Sequence, residues 1–219
     1  MHSFRTLDIR GHRDQPVPNT LLWQDNATRQ VAIVFPGVGY TCHMPLLYYP
    51  SRALLGLGVD VLWVEHNYIK QPDFRMLSAA EQNRRLLEDA SAAYRTALTQ
   101  RTYGEVTLLG KSLGTRAMAQ LFASDAAVAG CRDVWLTPVL RDTTVREQLG
   151  CRRSPLVVIG TADSYYDAAY LAGLRATSPG KVMIEEDADH NMEVEGDLDR
   201  CLSIIERITR GIKDFVSSS

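Results

Sequence analysis

At 219 residues, with 45% hydrophobic and 23% charged residues, the chain fits one sizeable soluble domain whose core needs no disulfide or metal staple. Its formal net charge of −2 supplies no strong field for nucleic acid or an anionic membrane, so neither is an expected partner. The N-terminus, M-H-S-F-R-T-L-D-I-R, has no apolar signal core, and no later run approaches the length of a membrane span, which makes a cytoplasmic location the default expectation.

Residues 4–9 and 20–23 read as short strands separated by a turn-rich stretch with Gly11, Pro16 and Pro18, and they predict an edge hairpin within residues 1–24. From Val31 the pattern changes to short, mostly apolar runs: V-A-I-V-F, Val59 to Val64, Val106 to Leu109, Val134 to Leu136, L-V-V-I from Leu156, and Val182 to Ile184. Strands buried on both faces need such runs, and helices between them supply the crossovers of a mostly parallel central sheet flanked on both faces. Pro45 to Leu57 predicts the first helix, ending at Gly58. Ser78 to Gln100 predicts a longer one, opened by a capping box of Ser78 and Glu81 and striped by Leu86, Leu87, Ala90, Ala93, Tyr94, Ala97 and Leu98. Another follows Ser112 through Met118, Leu121 and Phe122. Leu198, Leu202, Ile205, Ile208, Ile212 and Phe215 repeat at three or four residues and predict a final amphipathic helix, with Ser217 to Ser219 fraying after it. No internal repeat or linker interrupts residues 1–219, so a single α/β domain is expected. Only Thr137 to Pro155 separate two of the strands, too little for a substantial cap domain, and the site is expected to be open to small molecules.

The stretch Glu105 to Thr115, E-V-T-L-L-G-K-S-L-G-T, carries the clearest chemical signal. A strand-like run stops at Gly110, turns through Lys111 and Ser112, and leaves Gly114 before a helical pattern: a G-x-S-x-G turn. A serine on such a turn has its hydroxyl lifted clear of strand and helix, and glycines two residues away on each side remove side-chain bulk. The helix N-terminus adds partial positive charge there, and the Leu113 amide is placed to stabilise a developing oxyanion. Gly-Lys-Ser also ends phosphate-binding loops, but position 105 is Glu where that pattern needs glycine, and the residues between are strand-like.

A turn serine alone is weak evidence, so its partners matter. Of five histidines, His2, His12, His43, His66 and His190, only His190 follows Ser112. Between the two lies L-V-V-I-G-T-A-D, ending in Asp163. Ser112, Asp163 and His190 each fall just beyond the C-terminal end of a strand-like run, the edge at which parallel α/β sheets gather ligand chemistry. Asp142, Asp167, Asp187 and Asp189 are rival acids, with Asp189 directly abutting His190 in the chain. Tyr40, Tyr48, Tyr165 and Tyr166 are candidates either to line the site or to pack in core and surface. Cys42, Cys131, Cys151 and Cys201 are widely spaced and read as free thiols. No H-E-x-x-H or close His and Asp cluster stands out, and no metal or cofactor is expected.

With F-P-G-V-G-Y (Phe35 to Tyr40), G-K-S-L-G, G-T-A-D and D-H in this order, most of the chain, from Val31 to Val216, resembles the α/β-hydrolase superfamily, and in particular small lid-less members akin to dienelactone hydrolases and carboxylesterases. The resemblance implies Ser112 as nucleophile, His190 as general base and then acid, and Asp163 as the group orienting His190. It places P-G-V-G where the family has an H-G-x-x oxyanion loop, with Pro36 in place of the common histidine; the Val38 amide would then pair with that of Leu113 as oxyanion donor, with Gly39 as the alternative. The implied activity is hydrolysis of small accessible carboxylic esters, thioesters or lactones. Acyl transfer to another nucleophile, or a silent hydrolase fold used for binding, are the alternatives, and the oligomeric state is left open.

Overall fold

The computed structural model describes residues 2–218. Its strands are β1 (His2–Arg5), β2 (Asn19–Gln24), β3 (Gln30–Phe35), β4 (Asp60–Val64), β5 (Glu105–Lys111), β6 (Arg132–Leu136), β7 (Leu156–Gly160) and β8 (Lys181–Glu185). They form one sheet in the order β1-β2-β4-β3-β5-β6-β7-β8, parallel from β4 to β8 and antiparallel at β1–β2 and β2–β4. Around it lie α1 (Pro45–Gly56), α2 (Pro72–Met76), α3 (Ala79–Leu98), α4 (Leu113–Ser124), α5 (Thr143–Cys151), α6 (Ala168–Thr177) and α7 (Leu198–Ser217).

The two-residue period of a strand divides the core in two. Val31, Ile33 and Phe35 of β3 pack with α3 and α4 residues such as Ala93 and Met118, whereas Ala32 and Val34 of the same strand pack with Leu46 and Leu47 of α1 and Ile208 and Ile212 of α7. That is why the central runs are apolar at every position. The capping box at Ser78 and Glu81 opens α3 in both directions: the Glu81 amide donates to Ser78 Oγ, and the Ser78 amide donates to Glu81 Oε2. Between β6 and β7 the chain holds only α5.

The first strand departs from the expected 4–9: it pairs over His2–Arg5 with Leu21–Gln24. Residues beyond it leave the sheet because the Asn19 side chain takes both backbone groups of Leu7, accepting from its amide and donating to its carbonyl at 2.9 Å each, while Ile9 turns into the core. At the other end α7 keeps Ser217, expected to fray, since the Ser217 hydroxyl donates to the Lys213 carbonyl and the Ser218 amide to the Asp214 carbonyl. Ser219 lies outside the described residues. No helix among the described residues is long and apolar enough to cross a membrane.

Candidate active site

Ser112 sits between the last residue of β5 and the first of α4 with φ 53° and ψ −114°, a backbone region costly for a residue with a β-carbon. Neighbouring contacts hold it there. Its amide donates to the Leu136 carbonyl of β6 at 3.0 Å, and its carbonyl accepts from both the amide and the hydroxyl of Thr115. The flanking glycines are required by close approach: a β-carbon on Gly110 would meet the Gly114 carbonyl, and one on Gly114 would overlap the Phe35 carbonyl of β3.

The structure brings the three residues named above together. His190 Nε2 lies 2.8 Å from Ser112 Oγ, and His190 Nδ1 lies 2.8 Å from Asp163 Oδ2. An ionised carboxylate can only accept, so Nδ1 carries the proton toward Asp163 and Nε2 is left to accept from the serine hydroxyl. The Asp163 side chain is fully buried, whereas that of His190 is 28% exposed, so solvent reaches the histidine but not the acid behind it. Asp163 and His190 stand on loops fastened past the ends of β7 and β8: the Ala162 amide donates to the Ala188 carbonyl and the Asp187 amide to Thr161 Oγ1.

Each rival acid is engaged elsewhere. Asp142 caps α5 and pairs with Arg116, and Asp167 caps α6 and pairs with Arg146. Asp187 pairs with Arg200. Asp189 accepts the amides of Asn191 and Glu193, which shapes the turn carrying His190.

The loop Pro36–Tyr40 runs over this turn. Gly37 donates to the Tyr40 carbonyl at 3.1 Å and packs against Ser112 so closely that a β-carbon would lie 3.2 Å from the serine Cβ. Among the described residues, the amides of Val38, Gly39 and Leu113 donate to no protein acceptor, which leaves both loop candidates available beside Leu113. Under the loop lies Lys111, 2% exposed, its Nζ 4.5 Å from the centre of the Tyr40 ring; burial pulls its pKa down to about 8 against the opposing pull of Asp163 and Asp189.

A family model described as an alpha/beta hydrolase domain matches residues 29–217. The chain belongs to that family. No curated protein sequence matches it. Among solved structures, this α/β hydrolase is similar to an a/b serine hydrolase without lid from Xanthomonas campestris, at 18% identity and TM-score 0.67, covering 100% of this chain and 96% of that one. It is also similar to an esterase domain of a Rhodothermus marinus protein, at 18% identity and TM-score 0.64 over 97% and 98% of the two chains. A dienelactone hydrolase from Anabaena variabilis aligns at 15% identity and TM-score 0.66 over 95% and 96%. The fold is thus that of a lid-less α/β hydrolase.

The aromatic candidates separate. Tyr165 meets the His190 ring edge-on at 5.2 Å, and with Tyr166, Arg141, Thr143 and Ser164 it also lines a cavity of about 470 Å³ that none of Ser112, Asp163 and His190 lines. Tyr40 is buried, its hydroxyl accepting the Leu46 amide, and Tyr48 packs on Trp63. The four cysteines are free thiols. Among the described residues no three His, Cys, Asp or Glu side chains are grouped to hold a metal ion. Sequence reasoning passed over Lys111 as a buried group; strand alternation from Leu109 was the signal, since residue 111 shares the face of Leu109, packed toward α1 and α7.

Proposed function

We propose that this α/β hydrolase is a serine hydrolase of small, accessible carboxylic esters, with thioesters and lactones as chemically equivalent substrates. The observation that carries the reading is the unbroken chain of contacts from Ser112 Oγ to His190 Nε2 and from His190 Nδ1 to Asp163 Oδ2, each at 2.8 Å. Ser112 Oγ attacks the carbonyl carbon while His190 Nε2 takes its proton, and Asp163 stabilises the imidazolium that results. The negative oxygen of the tetrahedral intermediate is bound by the Leu113 amide and by Val38 or Gly39. Collapse transfers the proton from His190 to the leaving oxygen and leaves an acyl-serine. Water then attacks the acyl carbon, giving its proton to His190, and the acid departs as Ser112 recovers its hydroxyl proton.

Partial exposure of His190 and the short β6–β7 connection support access for water and small substrates. The test is reaction with a fluorophosphonate, with Ser112→Ala in parallel, read by intact mass and peptide mapping. A single adduct on Ser112, absent from the variant, supports the activated serine and opens screening of esters, thioesters and lactones. Folded protein that takes no adduct sinks the hydrolase reading and favours a binding role for the fold.

A further inference from the structure

Lys111 is placed where a lysine is costly. It closes β5 immediately before Ser112, its side chain is enclosed between the α1 and α7 side of the sheet and the loop above, and 2% of the residue is exposed. Among the described residues its Nζ has no protein hydrogen-bond or ion-pair partner, though the atom itself is not fully buried and keeps a sliver of solvent contact; the Tyr40 ring face lies 4.5 Å away, within the range of a cation–π contact. Protein interiors rarely hold an ammonium with so little of its side chain in water, because desolvation exceeds what one ring returns. Leucine or methionine would fill the same space without that penalty.

The surroundings suggest what the charge does. The Lys111 stem carries the oxyanion loop: a β-carbon on Gly37 would lie 3.1 Å from Lys111 Cδ and 3.2 Å from Ser112 Cβ, so loop, lysine and nucleophile are in one packed contact. Tyr40, which ends that loop, covers the ammonium. The charged groups acting on it are Asp163, behind His190, and Asp189, which shapes the His190 turn; Tyr40 is held un-ionised by burial, its pKa raised to about 12, with Glu193 and Asp189 adding to the rise. A cation held under the loop that carries the Val38 and Gly39 amides acts on charge developing beside that loop through a medium that screens it poorly.

We propose that Lys111 is a positioning residue whose buried ammonium holds the Gly37–Tyr40 loop against Ser112 and supplies a fixed positive field from under that loop. This rests on the reading of Ser112 as nucleophile. Because transition-state charge is what the field favours, its removal acts on kcat and leaves KM nearly unchanged. The same removal relieves a buried charge and makes the fold more resistant to denaturant, opposite to the loss expected for a residue that only packs.

The experiment compares wild type with Lys111→Met and Lys111→Ala in fluorophosphonate labelling rate and in hydrolysis of 4-nitrophenyl acetate from pH 6 to 10, alongside urea unfolding at pH 7. The expected result is a labelling rate and kcat lowered by about 10-fold to 100-fold in Lys111→Met at pH 7, an unchanged KM, a raised urea midpoint, and loss of an alkaline fall in rate that wild type shows as the lysine deprotonates near pH 8. Lys111→Ala separates charge from volume, since it shares the rate loss but lowers the midpoint through its cavity. Wild-type rates in Lys111→Met, or a rate loss with the alkaline limb intact, overturn the inference while leaving the hydrolase reading standing. Wild type that takes no label overturns the hydrolase reading and this inference with it.

Discussion

Oδ2 of Asp163 lies 2.8 Å from Nδ1 of His190, while the other oxygen of the same carboxylate accepts the Tyr165 amide at 2.9 Å. Both oxygens of this buried acid are therefore fixed, and the imidazole plane is set by a group that cannot turn away. Asp163→Asn keeps the shape but offers Nδ1 an amide donor, which moves the ring proton to Nε2 and removes the acceptor facing Ser112. The expected loss in kcat is on the order of 10⁴, measured on an aryl ester beside wild type. A loss below tenfold would remove Asp163 from the mechanism.

Gly114→Ala places a methyl group against the Phe35 carbonyl of β3, and neither α4 nor β3 can yield cheaply because both are buried in the same core. Overpacking of this kind costs about 1–3 kcal/mol, read as a lowered urea midpoint. Activity should fall further than stability does, since displacement of α4 carries the Leu113 amide with it. A neutral midpoint would show that the two elements separate freely.

The buried Lys111 also makes stability depend on pH. Its folded pKa of about 8 lies below the ordinary 10.5, so between these values the unfolded chain binds a proton that the folded chain has released. Stability therefore rises as pH increases through that window, and below it the buried charge costs on the order of 3 kcal/mol. Lys111→Met should gain most over wild type near pH 7, with the gain shrinking toward pH 10; urea midpoints at pH 7, 8.5 and 10 provide the check. A gain independent of pH would contradict the burial of a charged amine.

At the opposite edge of the sheet, buried Asp133 near the start of β6 accepts from Trp135 Nε1 at 2.7 Å and from Arg152 Nε at 3.0 Å, and burial raises its pKa. Arg152→Ala leaves that carboxylate without its cation and removes a guanidinium stacked 3.9 Å over Phe122. A stability loss of about 3 kcal/mol is expected, with kcat of the folded protein unchanged. Adding Asp133→Asn should recover part of it, because the asparagine oxygen still accepts from Trp135; no recovery in the double variant would assign the loss to packing alone.

Much of the fold was legible in the sequence because its signals are local. Runs such as V-A-I-V-F announce strands covered on both faces, Ser78 and Glu81 announce a helix start, and the spacing from Leu198 to Phe215 announces one apolar helix face. The turn at Ser112 was equally readable, since the glycines around it answer to the immediate backbone. The start of β1 was not, because it depends on Asn19, which takes the backbone of Leu7 from the sheet across the intervening loop. The short helices α5 and α6 were likewise silent, their caps Asp142 and Asp167 being indistinguishable in sequence from candidate acids.

The sequence by itself determined the order of chemistry along the chain: a serine, an acid and a histidine, each at a strand's C-terminal end. The G-T-A-D motif already pointed to Asp163 by resemblance; the tertiary structure adds the contact itself, because Asp142, Asp163, Asp167, Asp187 and Asp189 are the same functional group and differ in what lies across space from them. Four are held by amides or arginines, and one faces the imidazole. The same holds for Lys111, whose chemistry is ordinary in the sequence and unusual only once the sheet, α1 and the loop over Ser112 close around it and take most of its surface from water. Local patterning fixes elements through bonds to near neighbours; burial and partnership are properties of residues far apart in the chain, and they exist only in the folded state.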